Sequence, residues 1–314
     1  NVIDAVIPYL REGQCIILRS TLAPNTTNYV KNIIELKTDF RIGENFGLTY
    51  CPERLSEHNA MEELKILPQI IGSEDDLSYQ NSLSIFKNFG VKILKTNYVS
   101  AELAKLYNNS ARYIEFSIAN QFAIIADNLG QNIYEILRLT NEDYPRSFPY
   151  RPGLTAGTCL RKDFGMINEL SSGTDLFLAA WKVNEYMPYH LTELASNLTP
   201  LSNKNISILG YTFKNNSDDI RDSLVPKLIR YIEKHVPKSV VICEPNIQAK
   251  KIGKYKNIDL EASIDSAEVL FVANNHIEFS DHKKILDKIK PGTVVVDIWN
   301  CFKTNNTAFI KEDR

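Results

Sequence analysis

One cysteine of this chain lies where a thiol could react. In "PGLTAGTCLRKDFG", residues 152–165, Cys159 sits in a Gly/Pro/Thr loop and is followed by Arg161 and Lys162. Positive charge beside a thiol lowers its pKa from about 8.5 and populates the nucleophilic thiolate. On these residues alone, catalysis and a structural role both stay open. The chain has five cysteines, an odd number widely spaced with no CxxC, so neither a disulfide framework nor a structural zinc site is expected. Cys15 in "QCIIL" and Cys243 in "VVICE" fall in strand-like runs and read as small buried hydrophobes. A second group of polar residues occurs in "GYTFKNNSDDIRDS", where Lys214 and Arg221 offer positive charge. A helix N-terminus near Asp222 or Ser223 would add backbone N–H groups for a phosphate, although both cations also read as solvated surface residues. His276 in "VANNHIEF" has no His or Cys partner at metal spacing and reads as a satisfied loop histidine, so no metal is expected.

The elements that must position these residues alternate in type along the chain. At 314 residues it fits two or three domains. Hydrophobic residues are 44%, charged residues 24% and the net charge −2, a balance that suggests neither a nucleic acid nor an acidic membrane as partner. No apolar run approaches bilayer length and no secretory leader pattern opens the chain, so a cytoplasmic protein is expected. The opening "NVIDAVIPYLREGQCIILRSTL" reads as helix, turn and strand, the middle of an α/β domain, and the chain is expected to start late. Strands follow at "FGLTYC", "PQIIG" and "VKILK", with an amphipathic helix ending at Gly90. From Val99 a helical period holds for some thirty residues. Ser100 is the expected N-cap, Glu102 lies in the first turn, and Gly130 is the stop. Helical segments continue around the Cys159 loop to "TDLFLAAWKVNEYMPYHLTELASNL". The runs "NISILG", "SVVICEP", "EVLFVAN" and "TVVVDIW" then predict a parallel sheet covered on both faces. The expected fold is α/β, with two Rossmann-like parallel-sheet domains joined by a central helical domain and the first one truncated at its N-terminus. The predicted divisions are 1–98, 99–199 and 200–314. GxGxxG, the turn that holds the pyrophosphate of NAD, occurs nowhere.

Taken together, "STLAPNTT", "CPERL", "AKLYNNS", "GTCLRKD" and "LGYTFKNNSDDIRDS" closely resemble the UDP-glucose/GDP-mannose dehydrogenase family, in that family's order and over essentially the whole chain. The resemblance implies an N-terminal NAD domain, a helical middle that forms a homodimer, and a C-terminal domain that holds the nucleotide. The family's glycine fingerprint would then lie upstream of Asn1. The implied reaction oxidises a sugar C6 alcohol to an aldehyde and then, through a cysteine adduct, to a carboxylate, with two NAD consumed in turn.

Carried over residue by residue, Cys159 matches the nucleophile and Glu53 the acid/base carboxylate of the thioester steps. Lys105 and Asn109 match a pair that supports the developing oxyanion, and four-residue spacing puts both on one helix face. Asp163 and Thr21 match groups that hold a water in the first oxidation. Thr21, Glu57, Lys162 and Arg221 fall on NAD-contacting positions, while Arg151, Gly153, Phe213 and Lys214 fall on UDP-binding ones. Many relatives carry a more glycine-rich run before the cysteine, where this chain reads Leu154-Thr155-Ala156-Gly157-Thr158; the added side chains bear on the sugar pocket. The stretch "CPERLSEHNAMEELKILPQIIG" resembles the branch acting on UDP-N-acetylhexosamines, with UDP-N-acetylmannosamine favoured over UDP-glucose. A reading of another class is a nucleotide-sugar-binding remnant that lacks the NAD fingerprint and does not catalyse.

Overall fold

The computed structural model describes residues 2–55, 60–148, 150–155, 157–170 and 173–312, with the side chains of Thr158 and Cys159 outside the description. It divides into two compact units.

The first unit comprises Asn1–Ala111 and Asp163–Leu170. Its elements are α1 (Val2–Val6), β1 (Cys15–Leu18), α2 (Thr26–Lys37), β2 (Gly47–Tyr50), α3 (Ala60–Glu63), β3 (Gln69–Gly72), α4 (Asp76–Phe86), β4 (Ile93–Thr96) and the first part of α5 (Tyr98–Asn128). The sheet order is β1-β2-β3-β4. The β1–β2 and β3–β4 pairs are parallel, whereas β2 meets β3 antiparallel at Tyr50 and Gly72 alone. Ile34, Phe46, Leu48 and Tyr98 form a fully buried cluster, and the Tyr98 hydroxyl donates to the Leu48 carbonyl at 2.9 Å. Gly72 is required by packing, because a Cβ there would lie 2.8 Å from that of Ala101 on α5.

Two readings of the start of α5 change. Its cap is Asn97 rather than Ser100: the helix begins at Tyr98, and the Asn97 side chain accepts the Ser100 N–H at 2.7 Å. Glu102, expected in the first turn, comes just after it and is fully buried. Its carboxylate accepts the N–H groups of Asn25 and Thr27 at 2.7 and 2.8 Å and the Thr27 hydroxyl at 2.6 Å. These are donors that the N-terminus of α2 would otherwise leave open, so one helix caps another and fixes where the loop after β1 rejoins the fold.

The second unit comprises Arg112–Lys162 and Ser171–Arg314. After the rest of α5 come α6 (Ile133–Asn141), α7 (Thr158–Asn168, its first residues in this unit), α8 (Asp175–Leu198), β5 (Asn205–Leu209), α9 (Val225–Glu233) and β6 (Ser239–Cys243). Then follow β7 (Lys251–Ile252), β8 (Tyr255–Asn257), α10 (Leu260–Ser266), β9 (Val269–Val272), α11 (His282–Lys288), β10 (Val294–Asp297) and β11 (Ala308–Ile310). The seven-stranded sheet runs β11-β10-β9-β5-β6-β8-β7. Its centre is parallel, as predicted, but the outer strands β11 and β7 are antiparallel to their neighbours. All residues of β9 and β10 are buried, which explains why these strands read as unbroken apolar runs. Gly130, at φ +63°, follows the end of α5 as expected. Among the described residues no helix is long and apolar enough to cross a membrane.

Candidate functional site

In the first unit, β1 and β2 run parallel in register, Leu18 opposite Tyr50, so the chain leaves both at the same edge. Carboxyl ends of strands in α/β sheets are where ligands bind, and here they deliver Arg19, Thr21 and Glu53. Thr21 is half-buried in the segment between β1 and α2. Glu53 is ion-paired with Arg19 and accepts the Leu55 N–H at 2.9 Å. Burial would raise its carboxyl, but the Arg19 guanidinium and backbone N–H groups outweigh burial and hold it below the usual carboxylate range. Glu53 is therefore ionised near neutral pH. Arg19, not singled out by sequence reasoning, stands two residues before Thr21 and leans over the Phe86 ring at 5.2 Å.

Lys105 and Asn109 lie on α5 and are both half-buried. Asn109 is coupled to a residue far away in sequence: its Nδ2 donates to Asp163 Oδ2 at 2.5 Å, and Asp163 is fully buried. The expected pairing of Asn109 with Lys105 by helix spacing therefore gains a third member. The amide keeps a second N–H for another acceptor. Glu57 lies outside the described residues.

In the second unit, Cys159, read from the sequence as a loop residue, stands instead in the first turn of α7, which begins at Thr158. The electropositive setting inferred from its neighbours is altered, because Arg161 lies 3.2 Å from Glu185 and 3.6 Å from Asp222, both carboxylates. Its charge is largely matched. Lys162 is exposed. The other four cysteines are shifted away from reactivity: burial pushes the Cys15 thiol up to about 11 and the Cys243 thiol up to about 12, and raises those of Cys51 and Cys301.

The two glycines in the segment before α7 are tied to ring contacts. Gly153 donates its N–H to Asn120 at 2.8 Å, and a Cβ there would lie 2.4 Å from the Trp299 ring. Gly157, at φ +102°, would place a Cβ 2.3 Å from the ring of Phe213, so Phe213 lies directly on this loop. The Gly157 N–H donates to the Asp222 carbonyl at 3.3 Å. Arg151 is exposed, and Lys214 is half-buried with its ammonium 5.5 Å from the Phe213 ring centre. Arg221 is exposed and bonded to Asp219 through two nitrogens, at 2.9 and 2.7 Å. The helix N-terminus expected near Asp222 or Ser223 starts later, at Val225, with the Ser223 hydroxyl accepting its N–H.

Below the loop that carries Phe213 and Lys214, sequence reasoning missed a buried carboxylate. Glu244, at the carboxyl end of β6, accepts the N–H groups of Tyr211 and Thr212 at 2.7 and 3.1 Å. In a dinucleotide-binding Rossmann domain, the amides of this first turn face a phosphate. Here a protein carboxylate holds them instead. Burial would raise the Glu244 carboxyl, but the hydrogen bond from His276 and those from the backbone N–H groups outweigh burial and lower it. His276 is buried and fully bonded, in line with the loop-histidine reading. No cluster of His, Cys, Asp or Glu suited to a metal occurs among the described residues.

Comparison with known proteins places this geometry. The family models of the UDP-glucose/GDP-mannose dehydrogenases match in three parts: the NAD binding domain over residues 1–90, the central domain over 99–186 and the UDP binding domain over 207–304. The chain belongs to the UDP-glucose/GDP-mannose dehydrogenase family. It is an NAD-dependent nucleotide-sugar dehydrogenase, with the NAD-binding domain represented by residues 1–90. A UDP-N-acetyl-D-mannosamine dehydrogenase of Methanococcus vannielii is 30% identical over 97% of this chain and 70% of its own. The solved structure of the UDP-D-ManNAc dehydrogenase from Pyrococcus horikoshii superposes with a TM-score of 0.82 at 27% identity, over 92% of this chain and 69% of that one. The UDP-N-acetyl-mannosamine dehydrogenase of Staphylococcus aureus gives a TM-score of 0.80 at 25% identity, over 92% and 68%.

The donor set at the β1/β2 edge fits part of the cofactor. It offers the Thr21 hydroxyl and an Arg19 guanidinium with one buried nitrogen, Nη1, lacking a hydrogen-bond partner. No GxGxxG run occurs in the sequence.

Proposed function

We propose that this dehydrogenase oxidises the C6 alcohol of a UDP-N-acetylhexosamine, UDP-N-acetylmannosamine in the first place, to the uronate in two steps and four electrons. The observation that carries the reading is the hydrogen bond from half-buried Asn109 to fully buried Asp163, which puts a carboxylate and an oxyanion-type donor in one constellation. The named relatives favour the sugar. When bound, NAD would supply the hydride acceptor for each oxidation. Asp163, with Thr21, holds the water through which the C6 hydroxyl loses its proton. The Cys159 thiolate then adds to the aldehyde carbon, and Lys105 and Asn109 stabilise the oxygen that gains charge. The thiohemiacetal oxyanion gives up its carbon-bound hydrogen as hydride, leaving a thioester. Glu53, ionised, takes a proton from the water that hydrolyses it, which frees the thiol. The raised thiol pKa values of the other four cysteines support Cys159 in this role. Thr21, Glu57, Lys162 and Arg221 would hold the cofactor, and Arg151, Gly153, Phe213 and Lys214 the UDP moiety. On this reading the domains divide at 98/99 and 199/200, and the enzyme works in the cytoplasm.

The test is NADH formed per sugar with UDP-N-acetylmannosamine, UDP-N-acetylglucosamine and UDP-glucose. Two NADH per UDP-N-acetylmannosamine are expected. Two NADH with UDP-glucose alone would correct the sugar, and none with any substrate, while UDP-sugar still binds, would support a non-catalytic binding protein.

A homodimer belongs to the same proposal. Phe122 and Ile125 on α5, Leu129 just after it, and Ile136 and Leu139 on α6 are exposed, and most of them line an apolar groove with Phe148. A continuous apolar face of this kind on a soluble enzyme favours association. Sedimentation equilibrium at micromolar concentration should give twice the chain mass, and a monomer would overturn the dimer.

A further inference from the structure

We infer that Glu244 and His276 are positioning residues for the nucleotide loop, setting the place of Phe213 and Lys214 without touching the ligand themselves. The inference deepens the proposed function and rests on its assignment of Phe213 and Lys214 to the UDP moiety. The pair grips the loop on both sides of those residues. Before them, Glu244 Oε2 accepts the N–H groups of Tyr211 and Thr212, and the Asn274 side chain donates to the Thr212 carbonyl at 3.0 Å. After them, the Asn216 N–H donates to His276 Nδ1 at 2.9 Å, and the Asn216 side chain accepts the Ile277 N–H at 3.0 Å. An accepting Nδ1 carries no proton, so the imidazole donates from Nε2 to Glu244 Oε2, 3.0 Å away. The two clamps are thus one hydrogen-bonded unit, and both of its side chains are buried. The strands behind it are the central parallel ones: Glu244 follows β6, Asn274 and His276 follow β9, and the loop follows β5 between them. Gly210 permits the close approach, since a Cβ there would lie 2.5 Å from that of Asn274. A loop held at four points on rigid strands presents its cation with little ordering left to occur on binding.

The experiment is calorimetric titration of UDP into the chain, with His276→Ala, Lys214→Ala and the double variant. His276→Ala should weaken UDP binding about tenfold. In the Lys214→Ala background the same change should cost much less, because the lost grip acts through Lys214. His276→Asn, which retains an acceptor for Asn216, and His276→Gln, which retains a donor for Glu244, should each recover part of the affinity and serve if the alanine variant fails to fold. A folded His276→Ala chain with wild-type affinity, or an equal loss with and without Lys214, would overturn the inference. Wild-type chain that binds no UDP would overturn the nucleotide reading itself, and the inference with it.

Discussion

Replacing Cys159 by serine is expected to stop the reaction at or before the aldehyde, with NADH per sugar falling from two to at most one. Uronate formation should drop on the order of 10³-fold or more. An alcohol is far less nucleophilic than a thiolate near neutral pH, and an ester is a poorer acyl donor to water than a thioester. In the proposed mechanism the first oxidation draws on other groups, Asp163 and Thr21, so the serine variant should retain UDP-sugar binding. Quantifying NADH and uronate in one reaction separates the two oxidations. Wild-type uronate yield would remove Cys159 from the mechanism. None of the remaining thiols is placed to substitute, since burial lifts each of them away from the thiolate form.

The second large effect is expected at Asp163. Asp163→Asn keeps the size of a fully buried side chain that accepts from Asn109 at 2.5 Å, so the fold should survive. The change removes the negative charge that draws the hydroxyl proton through water, and kcat should fall about 10²- to 10⁴-fold. Because the substituted group does not contact the nucleotide in this proposal, the KM for the UDP-sugar should move little. Single-turnover measurement of the first hydride transfer checks this directly. A cooperative melt near that of the wild type shows that the loss is chemical, and a kcat within a fewfold of wild type would take Asp163 out of the proton path. Asn109→Ala should lower kcat less, since it removes one donor to the oxyanion while leaving the carboxylate.

Much of this organisation was legible in the linear chain. Runs such as "EVLFVAN" and "TVVVDIW" give β9 and β10, because a strand buried on both faces has no polar alternation to preserve. The period of 3.6 residues marked α5 and α8, and Gly130 marked the end of the first. The order of five short motifs carried the family. Periodicity and motif order are local properties or properties of sequence order, so they survive in a single line of letters.

Long-range pairing does not. Glu102 reads as an ordinary first-turn acid, yet it caps α2 across 77 residues through Asn25. Arg161 reads as a charge beside a thiol, and only the fold brings Glu185 and Asp222 to match it. Asn109 and Asp163 are 54 residues apart and share one hydrogen bond. Glu244 is one acid at the end of an apolar run, and only the parallel register of β5 and β6, Leu209 opposite Cys243, sets its carboxylate under the amides of Tyr211 and Thr212. In each case the residue type limits what a group can do, while the charge or donor that arrives from a distant element selects which of those things it does.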